Sequence, residues 1–302
     1  MNQHIQPGIA DLENFVAEEA AQPVADDVTK LCAAIQARGK VSAILFYGSG
    51  MWAAPDVDTV FDFYVLVESY RDFDPKPALA VLGSVLPPNV YYFEIADGER
   101  ILRCKYALMR IDQFTKAARG NTIVPQIWAR FAQPSRIVYT RPDKAASVTR
   151  ALADSVLTFH RYALPLIGQV APVEQIWLQG LRHTFGTELR SENPERPRLI
   201  FAAAPESFSR RSALAIALLA GIRRDSTWAR NRCWALRPLQ KSIAFLRLAK
   251  ATFTFEGSVD YAIWKVERQS GVRLEATDFQ RRHPLIGAWP LIWSAWRKAG
   301  FR

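Results

Sequence analysis

Residues 41–67 constrain this chain more than any other stretch. An apolar run from Val41 to Tyr47 ends in Gly48-Ser49-Gly50, and a second apolar run, Phe61 to Val67, follows a short interval later. Short apolar runs bounded by turn residues read as buried strands. Small residues at a strand end leave backbone N–H groups open to close approach, and such groups bind phosphate. Asp62 stands at the entrance of the second strand, thirteen residues after Ser49. A carboxylate there is costly unless it is paired or metal-bound.

Nucleotidyl transfer uses both features. Carboxylates hold the magnesium ions that bridge a triphosphate, offset its charge and align the attacking oxygen with the α-phosphorus. Gly-Ser at one strand end and an aspartate at the start of the next therefore fit a polymerase-β type of nucleotidyltransferase core. That core usually carries two carboxylates one residue apart, on one strand face by the period of two. Here the residue after Phe63 is Tyr64. Asp56 and Asp58 form a literal Asp-x-Asp, but they precede the strand, close to Pro55, as a loop would. The second metal ligand is therefore expected from Asp58, from Glu94 on the following strand, or from a carboxylate of the C-terminal half.

The remaining pattern predicts the frame around this core. Helical spacing over 9–38 gives one or two leading helices. Strand-like runs lie at 41–47, 61–67, 88–95 and 101–111, with a Pro-containing segment at 72–86. Helices are expected at 112–119 and 123–132, then a short strand over 135–140. From 143 onward the chain reads as mainly helical, at 143–164, 173–190, 208–222, 237–252 and 258–269. The expectation is an α/β or α+β domain over 1–142 and a helical domain over 143–302.

Charge and composition narrow the partners. The 302 residues carry a formal charge of +10 and a pI near 9.7, which favours polyanions. Cys32, Cys104 and Cys233 are far apart and suit a reducing compartment, and the four histidines are too scattered for a zinc site. The first 30 residues are acidic and lack an apolar core, unlike a targeting peptide. No apolar run approaches the roughly 20 residues that span a bilayer. Residues 223–250 hold eight cations against Asp225 alone, and 281–302 interleave Arg281, Arg282, Arg297, Lys298 and Arg302 with Trp289, Trp293 and Trp296. Tryptophan and cations beside short apolar runs are the composition of an interfacial membrane segment; tryptophans capping a core with arginines facing water is the alternative.

These residues resemble the mitochondrial-type phosphatidate cytidylyltransferases, the translocator assembly and maintenance family of CDP-diacylglycerol synthases. Tyr47-Gly48-Ser49-Gly50 and Phe61-Asp62-Phe63 are similar to that family's Tyr-Gly-Ser-Gly turn and single-aspartate strand. Val90-Tyr91-Tyr92, Lys105-Tyr106-Ala107 and Ala129-Arg130-Phe131 resemble further family segments, as do Thr187-Glu188-Leu189-Arg190 and Glu192-Asn193-Pro194. The likeness spans about 41–140, is thinner over 175–200, and lacks the family's Trp-His stretch after the second strand.

The resemblance implies transfer of CMP from CTP to phosphatidic acid, giving CDP-diacylglycerol and pyrophosphate with Mg²⁺. It implies a nucleotidyltransferase domain followed by a winged-helix-like region, with basic and aromatic elements on an anionic membrane. Such an enzyme would be cytoplasmic and peripheral on the inner face of the cytoplasmic membrane. In this reading Tyr47, Gly48, Ser49, Gly50, Arg130, Arg190 and Asn193 bind nucleotide. Asp62 holds metal, Lys105 neutralises phosphate charge, and Glu188 supplies a second metal ligand or a base. No nucleic-acid partner is expected, since no aromatic-rich RNA-binding motif is present. The alternatives are a nucleotidyltransferase acting on RNA or another acceptor, and a catalytically dead nucleotide- or lipid-binding protein.

Overall fold

Alternation along the second strand sends Phe61, Phe63, Val65 and Val67 to one side and Tyr64 and Leu66 to the other, and all six are buried. A strand apolar on both faces needs cover on both. The computed structural model describes residues 8–52, 59–73, 76–167, 171–187, 194–220 and 226–254, and only the backbone over 226–234 and 252–254. Its first half runs α1 (Ile9–Ala20), α2 (Asp26–Gln36), β1 (Ala43–Tyr47), β2 (Val60–Val67), α3 (Pro77–Val85), β3 (Asn89–Asp97), β4 (Arg100–Arg110), α4 (Ile111–Ala118), α5 (Gln126–Phe131) and β5 (Arg136–Thr140). Helices follow: α6 (Pro142–Ile167), α7 (Val173–Phe185), α8 (Arg196–Ala203), α9 (Pro205–Leu218) and α10 (Ser226–Thr254).

The strands form one sheet in the order β3-β4-β2-β1-β5. Only β2 and β4 pair in parallel; the other neighbours are antiparallel. The chain is thus a mixed α/β fold on a five-stranded mixed sheet. One face packs Ile44, Phe46, Phe63, Val65 and Tyr106 against Val28, Leu31 and Ile35 of α2. The opposite face packs Leu45, Tyr64 and Leu66 against α1, α4, α5 and α6. The first half of α6 (Val148, Leu152, Val156) lies in this sheet core. Its second half (Phe159, Ala163, Leu164) joins a helical core with Trp177 and Phe208. Trp177 stacks on Phe159 at a centroid distance of 4.3 Å, which Gly180 permits, since a Cβ there would meet the Phe159 ring at 2.5 Å.

Two helices fall where none was expected. The Pro-containing segment 72–86 is given no element by the sequence pattern, yet Pro77 begins α3, where its missing N–H would be unbonded in any case. α8 also opens with a proline in its first turn and buries only Pro197, so it carries little apolar periodicity. The expected 258–269 helix lies outside the described residues.

A buried lysine anchors α10. Lys250 donates to the Leu86 carbonyl, to the Pro88 carbonyl at 2.7 Å and to Asn89 Oδ1 at 2.9 Å. These match the three donors of an ammonium group. Burial first, and then the Arg247 guanidinium, push its pKa down to about 7 from 10.5. A lysine with a lowered folded-state pKa burdens stability fully below pH 7, and the burden lifts as pH rises toward the unfolded value. Wild type is therefore expected to gain stability relative to Lys250→Met between pH 7 and pH 9.5. Urea midpoints of the two proteins across that range check this; a pH-independent difference would remove the buried charge from the account.

Candidate functional site

The site lies on the half of the α6-side sheet face that the described helices leave open. Register places Tyr47 opposite Asp62, Asp62 beside Lys105, and Lys105 opposite Tyr92, so these four residues form one row across β1, β2, β4 and β3. Strand alternation puts Tyr64 and Arg103 one step away on the same face. Lys105 Nζ is 3.4 Å from Asp62 Oδ1, and the two side chains are 29% and 30% exposed. The aspartate at the mouth of a buried strand is therefore paired, as its position requires, yet remains open to solvent.

Gly48 turns the chain above this pair. Its φ of +92° lies in the region that favours glycine, and a Cβ there would stand 3.4 Å from Asp62 Oδ2. Residues Ser49–Met51 form a 3-10 turn closed by Met51 N–H on the Gly48 carbonyl and Trp52 N–H on the Ser49 carbonyl. The Ser49 and Gly50 N–H groups precede those bonds and have no partner within the turn itself. The same turn thus brings backbone donors and one carboxylate oxygen together.

Arg130 borders the row on the other side. Its guanidinium lies 5.0 Å from the centre of the Tyr47 ring and donates to the Tyr64 hydroxyl at 3.2 Å. Tyr47, Tyr64 and Phe131 pack edge-on or tilted around it. Lys105 pairs with Asp62 and Arg130 lies over Tyr47, so two cations border one carboxylate here, while Arg103 on the same face pairs with Glu94. Tyr64 and Arg103 were not singled out in the sequence, although the period of two from Asp62 and Lys105 points to both.

Glu94 sits apart from this cluster. It accepts from the Tyr92 hydroxyl and lies 3.3 Å from Arg103 Nε. Two strand spacings and one register step separate it from Asp62, about 12 Å. The structure does not bring these two carboxylates to one metal ion. Asp58, Glu188, Arg190 and Asn193 lie outside the described residues.

Among the described residues no group of three or more His, Cys, Asp or Glu side chains is placed to hold a metal ion. Magnesium, however, is usually held by one or two carboxylates, with substrate phosphates and waters completing six ligands. Asp62, with Oδ2 turned toward the Gly48 turn, fits one such ligand. Among the described residues a protein-only cation cage does not fit.

Other titratable groups have structural roles. His160 is fully buried between the Val156 carbonyl at 2.8 Å and Ser212 Oγ at 2.9 Å, while Trp177 Nε1 donates to the same hydroxyl. Burial, then Arg237, lowers the pKa of His183. Cys32 and Cys104 are buried free thiols, with Cys32 pushed up to about 11 mainly by burial. A surface cleft of about 720 Å³ at the α1–α9 junction is lined by Phe15, Glu19, Pro205, Glu206 and Arg210, and has no part in the Asp62 row. No helix among the described residues is long and apolar enough to cross a membrane. Scans against protein-family models and against curated proteins find no match to this chain.

If Lys105 acts on phosphate, Lys105→Met should lower turnover by about 10²-fold, the usual loss when one charge-stabilising donor is removed. Steady-state assays against a circular-dichroism check of folding measure this. An unchanged rate would return Lys105 to the role of a solvated strand residue.

Proposed function

We propose that this protein is a metal-dependent nucleotidyltransferase of the polymerase-β-like type, transferring CMP from CTP to phosphatidic acid. The observation that carries the reading is the joining of Asp62, Lys105 and the Gly48 turn in one open row flanked by Arg130. The lone strand aspartate and the Tyr-Gly-Ser-Gly turn favour the lipid-acceptor branch that the sequence resembles. The helical half would then be winged-helix-like, and the protein peripheral on the inner face of the cytoplasmic membrane.

In this reading the Ser49 and Gly50 N–H groups hold the triphosphate. Arg130 and Lys105 take up its negative charge, Lys105 from beside the aspartate. Bound magnesium, held by Asp62 and by substrate phosphates, would supply charge neutralisation and alignment. A phosphate oxygen of phosphatidic acid forms a bond to the α-phosphorus of CTP. The bond from that phosphorus to the bridging oxygen breaks, and pyrophosphate leaves with the electron pair. Such a monoester is already mostly ionised at neutral pH, so positioning and charge complementarity suffice without a general base. Glu188, Arg190, Asn193 and Asp58 enter only through the resemblance.

The test is incubation with each α-labelled nucleoside triphosphate, magnesium and phosphatidic acid vesicles, followed by lipid extraction. Label entering the lipid phase from CTP alone is expected. Label in lipid from no nucleotide would overturn the assignment, and label in added RNA would move it to another acceptor.

A further inference from the structure

Alternation along β3 divides its side chains between the two sheet faces. Tyr91, Phe93 and Ile95 join the core on the α2 side, so Tyr92 and Glu94 stand on the open face with Asp62 and Lys105. The Tyr92 hydroxyl donates to Glu94 Oε1, and Arg103 Nε lies 3.3 Å from the same oxygen. Glu94 Oε2 has no partner among the described residues, and the side chain is 42% exposed. A carboxylate oxygen only accepts, so Glu94 offers the open face an acceptor whose direction is set by two donors on its other oxygen.

The proposed reaction leaves this residue unused. Glu94 is too far from Asp62 to share a metal ion, yet the roughly 12 Å between them runs along the face on which a nucleotide would lie. With phosphates held by the Gly48 turn and Lys105, extension of the same nucleotide over Lys105 and Tyr92 carries the edge of its base to Glu94. Cytosine presents an amino group on that edge where uracil presents a carbonyl oxygen. The amino group donates to Oε2, whereas the carbonyl oxygen would meet it acceptor against acceptor. We propose that Glu94 reads the base at this site, accepting from the exocyclic amino group of cytosine and so rejecting uracil. Tyr92 and Arg103, which hold Oε1, are its positioning residues. The inference deepens the nucleotidyltransferase reading and rests on it.

The two donors on Oε1 make Glu94→Gln a diagnostic change. The amide oxygen takes the Oε1 place, because the Tyr92 O–H and the Arg103 N–H both need an acceptor there. The amide NH2 then stands in the Oε2 place and donates to the carbonyl oxygen of uracil. Uracil therefore gains a hydrogen bond at the atom where cytosine loses one. A carboxylate that served only as a strand-to-strand ion pair would affect both nucleotides alike.

The test measures the dissociation constants of CTP and UTP by calorimetry, with the full chain and magnesium but no lipid, so that its outcome is independent of turnover. Wild type is expected to bind CTP about tenfold more tightly than UTP, the discrimination that one well-placed hydrogen-bonding contact gives. Glu94→Gln should weaken CTP and tighten UTP, bringing that ratio to about one or below. Tyr92→Phe should lower the ratio without inverting it. Asp97→Asn removes a carboxylate that pairs with Lys30 on the opposite face of the same strand, and should leave the ratio unchanged. A wild type that does not prefer CTP, or an unchanged ratio in Glu94→Gln, would overturn the proposal and leave the nucleotidyltransferase reading in place. Equal weakening of both nucleotides in Glu94→Gln would make the residue structural and overturn it as well. Failure of wild type to bind any nucleoside triphosphate would remove the nucleotidyltransferase reading, and this inference with it.

Discussion

Asp62→Asn is expected to lower turnover by about 10³-fold or more while leaving the melting temperature within about 3 °C of wild type. The first number follows from removing a charge that would hold metal and phosphates where charge develops in the transition state, an effect of several kcal/mol. The second follows from exposure: the Asp62–Lys105 pair is open to solvent, and exposed ion pairs contribute about 0–1 kcal/mol. Asparagine keeps the shape at the entrance of β2 and the space beside Gly48. Single-turnover rates with saturating CTP, set beside a thermal melt, separate the two effects. Full activity in this variant would remove the aspartate from the site. Collapse of the fold would make it a structural residue instead.

Glu19→Ala should destabilise the protein by about 3–5 kcal/mol, the usual consequence of stranding a buried charge. Arg211 lies in the α1–α9 interface with its side chain 2% exposed and is paired with Glu19. It also donates to the Ala132 carbonyl and to Ser207 Oγ, and its guanidinium sits near the Phe15 ring. Burial drives its pKa down, and the glutamate opposes this. Without Glu19 the guanidinium stays in the interior with too few acceptors. Arg211→Met in the Glu19→Ala background should recover much of the loss, because the uncompensated charge is then gone. Denaturant midpoints of both single variants and the double variant form the cycle. Additive losses would mean that the pair does not act as a unit.

Neither this pair nor the anchoring of α10 could be read from the chain. Glu19 reads as a surface acid of an amphipathic helix, and Arg211 as one of two arginines early in another. They meet across 192 residues because α1 and α9 pack side by side. Lys250 belongs to a run of cations with nothing local to mark it for burial, and its burial depends on three acceptors from the α3–β3 region. A local pattern carries no information about acceptors so far away. The helix within 72–86 went unassigned although Pro77 suits a helix start, because proline excludes helix interiors, not helix starts.

β1 and β2 were legible because their apolar runs are too dense to be anything but buried strands, and the turn between them needed small residues wherever it lay. The residue types of the site, the Gly48 turn and Asp62 at a strand mouth, follow from the sequence by itself. Lys105 beside Asp62, Arg130 over Tyr47 and the separation of Glu94 were decided only by the tertiary structure. Strand order and register are set by the total burial of both sheet faces, and a shift of one residue would have turned every one of these side chains to the other side.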